Sequence, residues 1–253
     1  MSSTHLYFNS VIGSQKPENI INHSTACPFC DRGALTGILD QDGDIVLLKN
    51  KYPVLEEAVQ TVLIETADCN GELSRYPKQH LYRVIRFGIR HWLEMERNPD
   101  FASVLFYKNH GPFSGGTIRH PHMQIVGLRQ INYRPQIKPE YFIGETIDRR
   151  RDVCLNLSTQ PRIGFFEFNI SGKTLEQLEQ TADYIQTVAH YILNHFHRHC
   201  QSYNLFFYQL EGQVIAKLTP RFVTSPLFIG YGIPQLPSRF FDVISEMRSL
   251  YFQ

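Results

Sequence analysis

The sequence lacks an excess of charge of either sign. Its 253 residues carry 25 Lys and Arg against 24 Asp and Glu, a formal +1. A general nucleic-acid binder would show a basic excess or a basic stripe, so no nucleic-acid partner is expected. Long hydrophobic runs are also missing: nothing approaches the roughly 18–20 apolar residues that span a bilayer, so no membrane partner is expected either. Cysteine is scarce, at five residues, where a small secreted disulfide scaffold would be far denser. There are no charge runs, low-complexity tracts or floppy linkers. Met1 to His5 do not form a basic segment leading into an apolar one, so a cytoplasmic protein without a secretory leader is expected. What is present is hydrophobic and aromatic, 42% and 13% of the chain, which argues against disorder. The length allows one large domain or two small ones.

Short apolar runs rich in β-branched and aromatic residues occur at 34–39, 45–48, 59–65, 103–107 and 122–128, and read as strands. Asp42-Gly43-Asp44, between the first two, reads as a hairpin turn. Leu81, Val84, Ile85, Ile89, Trp92 and Leu93 share one stripe of a helix from about Pro77 to Glu96, which Asn98-Pro99 would stop. Leu178, Ala182, Ile185, Ala189, Ile192 and Phe196 mark a second long helix, with Thr174 and Gln177 as a capping box. A shorter helix is expected over 239–250. The order of strands, helix, strands, then strand, helix, strands is α+β and suggests a duplication. Residues 1–131 read as one domain and 161–253 as a second. Residues 132–160, weakly periodic and containing Pro135 and Pro139, read as a connection between them.

Three motifs carry chemistry. Cys27-Pro28-Phe29-Cys30 has the spacing of a metal-binding turn and also of a redox dithiol. Its flanks look like a loop entering a hairpin, whereas a redox pair normally opens a helix. In His120-Pro121-His122-Met123-Gln124, alternate residues of an extended segment share a face, so His120, His122 and Gln124 point one way. Two imidazoles and an amide are costly to bury without a role. An isolated pair of this kind is as readily two surface histidines. Between Asn109 and Thr117 lies a loop in which Gly115 and Gly116 let backbone amides approach an anion and Thr117 adds a hydroxyl. Alone, such a loop is most often only a turn.

Together these motifs resemble the galactose-1-phosphate uridylyltransferase branch of the histidine triad superfamily. That family has a CxxC near its N-terminus, a strand ending in Asn, a small-residue phosphate loop, and then His-Pro-His-x-Gln. The likeness runs from Cys27 to Leu128 and is weaker over 162–235. It implies an antiparallel histidine-triad-like sheet with a long helix, in a degenerate tandem duplication. It implies a nucleotidylyltransferase of the hexose-1-phosphate uridylyltransferase type, working by double displacement on a nucleotide sugar and a sugar 1-phosphate or phosphate, with a homodimer as one assembly. His122 would be the nucleophile. His120 would ligate zinc while its carbonyl holds the His122 tautomer. Gln124, Asn109, Gly115, Gly116 and Thr117 would bind phosphate oxygens, and Asn50 and Tyr52 would surround base and ribose. Zinc at Cys27, Cys30 and His120 would pin the motif strand to the N-terminal loop. The family's fourth ligand is a histidine shortly before the long helix. Asp68-Cys69-Asn70 stands there, so Cys69 is assigned, with His80 and His110 as the other choices and a plain buried thiol as the simpler reading.

Some residues depart from the family pattern. Ile215 to Pro220 holds no histidine pair, so no second catalytic or metal site is expected in the second half. Leu227 to Tyr231 resembles the strand that helps hold the hexose phosphate, yet its flanking Lys and Glu are replaced by Pro226 and Gly232. Lys51 stands where an acidic residue often meets ribose. These departures leave nucleoside and sugar open. They keep alive a hydrolase or phosphorylase of a nucleotide sugar or dinucleotide, and a non-catalytic, zinc-stapled nucleotide-binding module. His195, His197, His199 and Cys200 read as an exposed helix end. Arg119 reads as solvated or paired, Cys154 as a plain thiol, and Phe165-Phe166 and Phe206-Phe207-Tyr208 as core.

Overall fold

The computed structural model describes residues 5–172, 177–197 and 200–253. The chain forms two compact units, 1–72 with 79–136, and 73–78 with 137–253. In the first unit, a short helix α1 (Ser10–Ser14) precedes strands β1 (Ile38–Asp42), β2 (Ile45–Lys49) and β3 (Ala58–Ile64). Helix α2 (Lys78–Glu96) then leads to β4 (Ser103–His110) and β5 (His122–Leu128). The strands pair antiparallel in the order β1-β2-β3-β5-β4.

The second unit contains β6 (Gly144–Arg150), β7 (Val153–Ser158), β8 (Phe168–Gly172), helix α3 (Leu178–Tyr191), β9 (Tyr203–Leu210) and β10 (Gln213–Pro220). Its antiparallel order is β6-β7-β8-β10-β9. In both units the spatial order is first, second, third, fifth, fourth, and a long helix joins the third strand to the fourth. This repeat is the tandem duplication. Helices α4 (Pro226–Tyr231) and α5 (Phe240–Tyr251) close the chain. Among the described residues no helix is long and apolar enough to cross a membrane.

Helix α2 buries the stripe expected of it, with Leu81, Val84, Ile85, Ile89 and Trp92 at 1% exposure or less. A Cβ at Gly88 would lie 2.5 Å from Phe106 Cζ, so only glycine allows the helix this close to the sheet. Trp92 Nε1 donates to the Val104 carbonyl at 3.1 Å, which satisfies the one polar atom of a fully buried ring. Burying a ring such as Phe106 under this helix contributes about 1.5–3 kcal/mol. Because alternate residues face opposite ways, Leu63 and Phe106 lie under the helix. Val46, Leu48, Val62 and Ile64 form a cluster with Phe29 and Leu35. His122 and Gln124 are the cross-strand partners of Ile64 and Val62, and so lie on that second face, away from the helix.

Several sequence expectations change. The first strand begins at Ile38, because Arg32–Ala34 form a 3-10 turn capped by Asp31, whose Oδ1 accepts from the Ala34 amide at 3.2 Å. Residues 132–160 contain the strands β6 and β7. All of β7 is buried, but its Asn156 and Ser158 hide the apolar run. They donate to the Phe142 and Tyr141 carbonyls at 3.1 Å each. Leu227 to Tyr231 is helical: Ser225 caps it, Pro226 occupies its first turn, and Gly232 ends it at φ 65°, a start and stop that favour helix over strand. Phe207 is core, but Phe165 is 44% exposed at φ 63°. Gln177 makes no side-chain cap, and Thr174 lies outside the described residues. α3 runs on as a π turn, Ile192–Phe196. His195 within this turn and His197 just after it are exposed, but Cys200, expected with them at an exposed helix end, is buried at 2% exposure; His199 lies outside the described residues.

Candidate functional site

The Cys27 to Cys30 segment is a tight turn, with the Cys30 amide donating to the Cys27 carbonyl at 3.3 Å. Arg32 ties it to the end of β3 by donating to the Thr66 carbonyl at 2.5 Å and the Asp44 carbonyl at 3.2 Å. This brings the turn to Cys69 and His120. The ligand-capable atoms of Cys27, Cys30, Cys69 and His120 all lie within 4.8 Å of one another. Neither His80 nor His110 belongs to this cluster. Arg119 sits at its edge, Nη2 4.0 Å from Cys69 Sγ.

The donor set fits zinc. Tetrahedral zinc with ordinary Zn–S and Zn–N bonds places S and N about 3.6 Å apart. Here Cys27 Sγ and Cys30 Sγ are 3.5 and 3.7 Å from His120 Nδ1. His120 Nε2 lies 2.8 Å from the Thr66 carbonyl. A proton there leaves the Nδ1 lone pair directed at the sulfurs, as a metal-ligating histidine requires. Desolvation, with crowding by Cys27 and Cys69, pushes the Cys30 thiol up to about 12. His120 is fully buried, which excludes a surface histidine there.

His122 opens β5 and is 7% exposed. Its Nδ1 lies 2.8 Å from the His120 carbonyl, so Nδ1 carries the proton and Nε2 is left with its lone pair. The Phe29 ring meets both imidazoles edge-on, with centroids 5.9 Å from His120 and 5.5 Å from His122. Burial pulls His122 down to about 4, against the upward pull of the His120 carbonyl and with a smaller downward push from Lys108. The imidazole is therefore neutral at physiological pH.

Behind His122, on the helix side of the sheet, lies an ion pair not singled out from the sequence. Lys108 Nζ donates to Glu65 Oε1, and its own strand neighbours are β5 and, beyond it, β3. Lys108 and Glu65 are 1% and 0% exposed. Lys108 Nζ also lies 3.5 Å from the His122 carbonyl. The Tyr107–Gln124 pair is the last in the β4–β5 register, so this pair ties the three strands together where the backbone ladder has ended.

His122 and Gln124 line a cavity of about 390 Å3, together with Gly115, Gly116, Thr117, Asn50 and Tyr52. Asn109 does not line it. It lies beneath the loop, where a Cβ at Gly116 would meet Asn109 Cβ at 3.2 Å. Gly115 has φ 86°, a conformation that side chains rarely adopt. Asn50 Oδ1 accepts from the Tyr52 amide at 2.9 Å, which fixes that turn and leaves the Asn50 amide nitrogen for a ligand. The Lys51 ammonium sits 5.9 Å over the Tyr52 ring.

Sequence reading missed the contribution of residues 16–20. Lys16 and Pro17 line the cavity. Asn19, 4% exposed, donates from its amide to the Thr117 carbonyl at 2.9 Å and accepts from the Arg119 amide at 2.7 Å. Burial pulls the Lys16 ammonium below the usual lysine range. The one available signal was a lone cation beside a proline in a polar stretch, which has no characteristic spacing.

Comparison with known proteins supplies a family. Residues 8–131 match a family model described as the N-terminal domain of a domain of unknown function, DUF4931, and residues 134–252 match its C-terminal domain. The crystal structure of a DUF4931 family protein from Bacillus cereus ATCC 10987 is 44% identical. The match covers 85% of this chain and 100% of that one, with a TM-score of 0.79. A galactose-1-phosphate uridylyltransferase from Thermotoga maritima is 24% identical over 134 residues, 45% of this chain and 41% of its own length. The match thus spans less than half of that relative. An ADP-glucose phosphorylase from Arabidopsis thaliana with bound ADP-glucose shares the fold at a TM-score of 0.72, with 14% identity over 98% of this chain and 99% of that one. The resemblance and fold read from the sequence are those of these relatives.

Proposed function

The chain belongs to the DUF4931 family, and from that premise we propose that it is a nucleotidyl-transfer enzyme with His122 as its nucleophile. The observation that carries this reading is the buried, neutral His122, whose Nδ1 is held at 2.8 Å by the His120 carbonyl in a cavity that also presents a glycine loop and Lys16. A neutral imidazole with one nitrogen hydrogen-bonded is a capable nucleophile at the other. A nucleotide sugar lies with its base and ribose against Asn50 and Tyr52. His122 Nε2 attacks the α-phosphorus, an N–P bond forms, and the P–O bond to the sugar phosphate breaks with its electrons. Charge on the equatorial oxygens is met by Gln124, by the amides of Gly115 and Gly116, by the Thr117 hydroxyl and by Lys16. An acceptor phosphate oxygen then attacks the same phosphorus and releases His122. Asn109 supports the loop from below.

Cys27, Cys30, Cys69 and His120 would hold zinc, which would supply a cross-link that stiffens the motif strand. The residues themselves give His120 the orientation that sets its carbonyl against His122. The acceptor is a sugar 1-phosphate, or inorganic phosphate in a phosphorylase. The reading is tested by isotope exchange. Labelled glucose 1-phosphate is incubated with unlabelled UDP-glucose or ADP-glucose and no other acceptor. Label entering the nucleotide sugar supports double displacement, and its absence with both, while phosphate yields a nucleoside diphosphate by direct attack, contradicts it.

A further inference from the structure

A second cavity lies in the second unit and shares no residue with the His122 site. It encloses about 610 Å3, and Phe165, Phe166, Phe196 and Phe222 supply its aromatic wall. Phe166 meets Phe196 edge-on at 4.7 Å, and Phe196 meets Phe222 at 6.1 Å. Phe165 stands at φ 63° beside Gly164 at φ 126°. Its amide is tied to the Gln235 carbonyl, and the Gln235 side chain is held by Ser225 Oγ at 2.5 Å. A non-glycine residue in that region is strained. Here it keeps an aromatic side chain at the cavity instead of in the core.

One cation in this wall, Arg221, has no ion pair among the described residues. Arg221 follows β10, and its amide donates to the Ser202 carbonyl at 2.8 Å. Its Nη1 donates to Asn204 Oδ1 at 2.6 Å, and Asn204 is 2% exposed. The guanidinium is therefore held in place by a neutral group. Among the described residues no carboxylate forms an ion pair with it. Two other charges line the cavity: the Glu246 carboxylate, whose Oε2 accepts from the Tyr191 hydroxyl at 2.6 Å, and Arg239, whose Nε lies 3.4 Å from Asp242. A half-buried guanidinium with free N–H groups in an apolar wall is matched by a planar anion that binds two of them. The volume is that of a small-molecule site, mostly apolar with a few placed polar groups.

We propose that this cavity is a second ligand site for a small organic anion, an aromatic carboxylate or sulfonate of up to three rings, whose aromatic body rests on the phenylalanines and whose acid group pairs with Arg221. A nucleotide fits it poorly, since a polar ribose and two or more phosphate charges would face four phenylalanines and one unmatched cation.

The test uses two fluorescent probes on the full chain: 8-anilinonaphthalene-1-sulfonate, and N-phenyl-1-naphthylamine, which has the same rings without the sulfonate. The expected result is one saturable sulfonate site on protein whose circular dichroism and melting temperature stay native. Arg221→Met should weaken the sulfonate by at least about tenfold, the worth of a lost charge-assisted pair, and leave the neutral amine within about twofold. Thr224→Trp, which fills the cavity, should weaken both probes, and this holds the inference to account if Arg221→Met does not fold. No saturable sulfonate binding to the native protein, equal loss of both probes in Arg221→Met, or binding unchanged in Thr224→Trp would each overturn it.

Discussion

The Nδ1 of His122 lies 2.8 Å from the backbone carbonyl of His120, and His120 is itself the one imidazole of the four-residue cluster. The residue that would hold the metal is therefore also the residue that orients the proposed nucleophile. Strand alternation and Pro121 make this geometry possible, since the two histidines are separated by a residue that cannot donate to a ladder.

The pH dependence of adduct formation follows from the burial of His122. Its pKa is pulled from 6.5 to about 4, so the rate of nucleophilic attack should stay flat from pH 8 to about 5 and fall below that. The unfolded chain takes up this proton first, so between about pH 6.5 and 4 stability should decrease as pH falls. The shift sets an upper bound of about 3 kcal/mol. Urea unfolding at pH 7.5 and 4.5 should show a larger loss for the wild type than for His122→Gln. Equal losses would mean that His122 is not buried as a neutral base.

The cluster should bind about one zinc per chain. Metal analysis should find it lost in Cys69→Ala and retained in His80→Ala, because His80 lies outside the cluster. Chelation should lower the melting temperature of the wild type and leave that of Cys69→Ala unchanged. Retained zinc in Cys69→Ala would remove Cys69 from the ligand set.

Lys108→Met takes the ammonium away from the buried Glu65 carboxylate, which should destabilise the protein by about 3–5 kcal/mol in urea unfolding. Adding Glu65→Leu should recover most of that loss, since an apolar pair removes the stranded charge. A double variant no more stable than Lys108→Met would show that the pair is not a closed electrostatic unit.

Gly115→Ala meets no atom within 4 Å, yet its φ is 86°. The strain should cost about 1–2 kcal/mol and distort the loop amides. Weaker nucleotide binding with a melting temperature lowered by about 2–8 °C is expected by calorimetry, and unaltered affinity would remove the loop from the phosphate site.

Much of this was legible in the sequence, because the main signals are periodic or local. The α2 stripe, the Gly43 hairpin and the His-x-His strand depend on neighbours within a few residues. The cluster depends on pairs such as Cys27 and His120, 93 residues apart, and became readable only through the family resemblance. The misses share a cause. β7 hides its period behind the buried Asn156 and Ser158, whose partners come from another segment. The Lys108–Glu65 pair and Lys16 have no spacing at all, since tertiary packing alone brings them to the site. The stretch from Leu227 to Tyr231 is matched to a strand by the family resemblance, and its capping residues make it a helix.

The most direct measurement is intact mass of the protein after brief incubation with UDP-glucose or ADP-glucose. A covalent nucleotidyl adduct, of the mass of UMP or AMP less water, is expected on the wild type, discharged by sugar 1-phosphate or inorganic phosphate and absent from His122→Ala. Turnover of either substrate without any adduct on the wild type, or an adduct that persists in His122→Ala, would contradict His122 as the nucleophile.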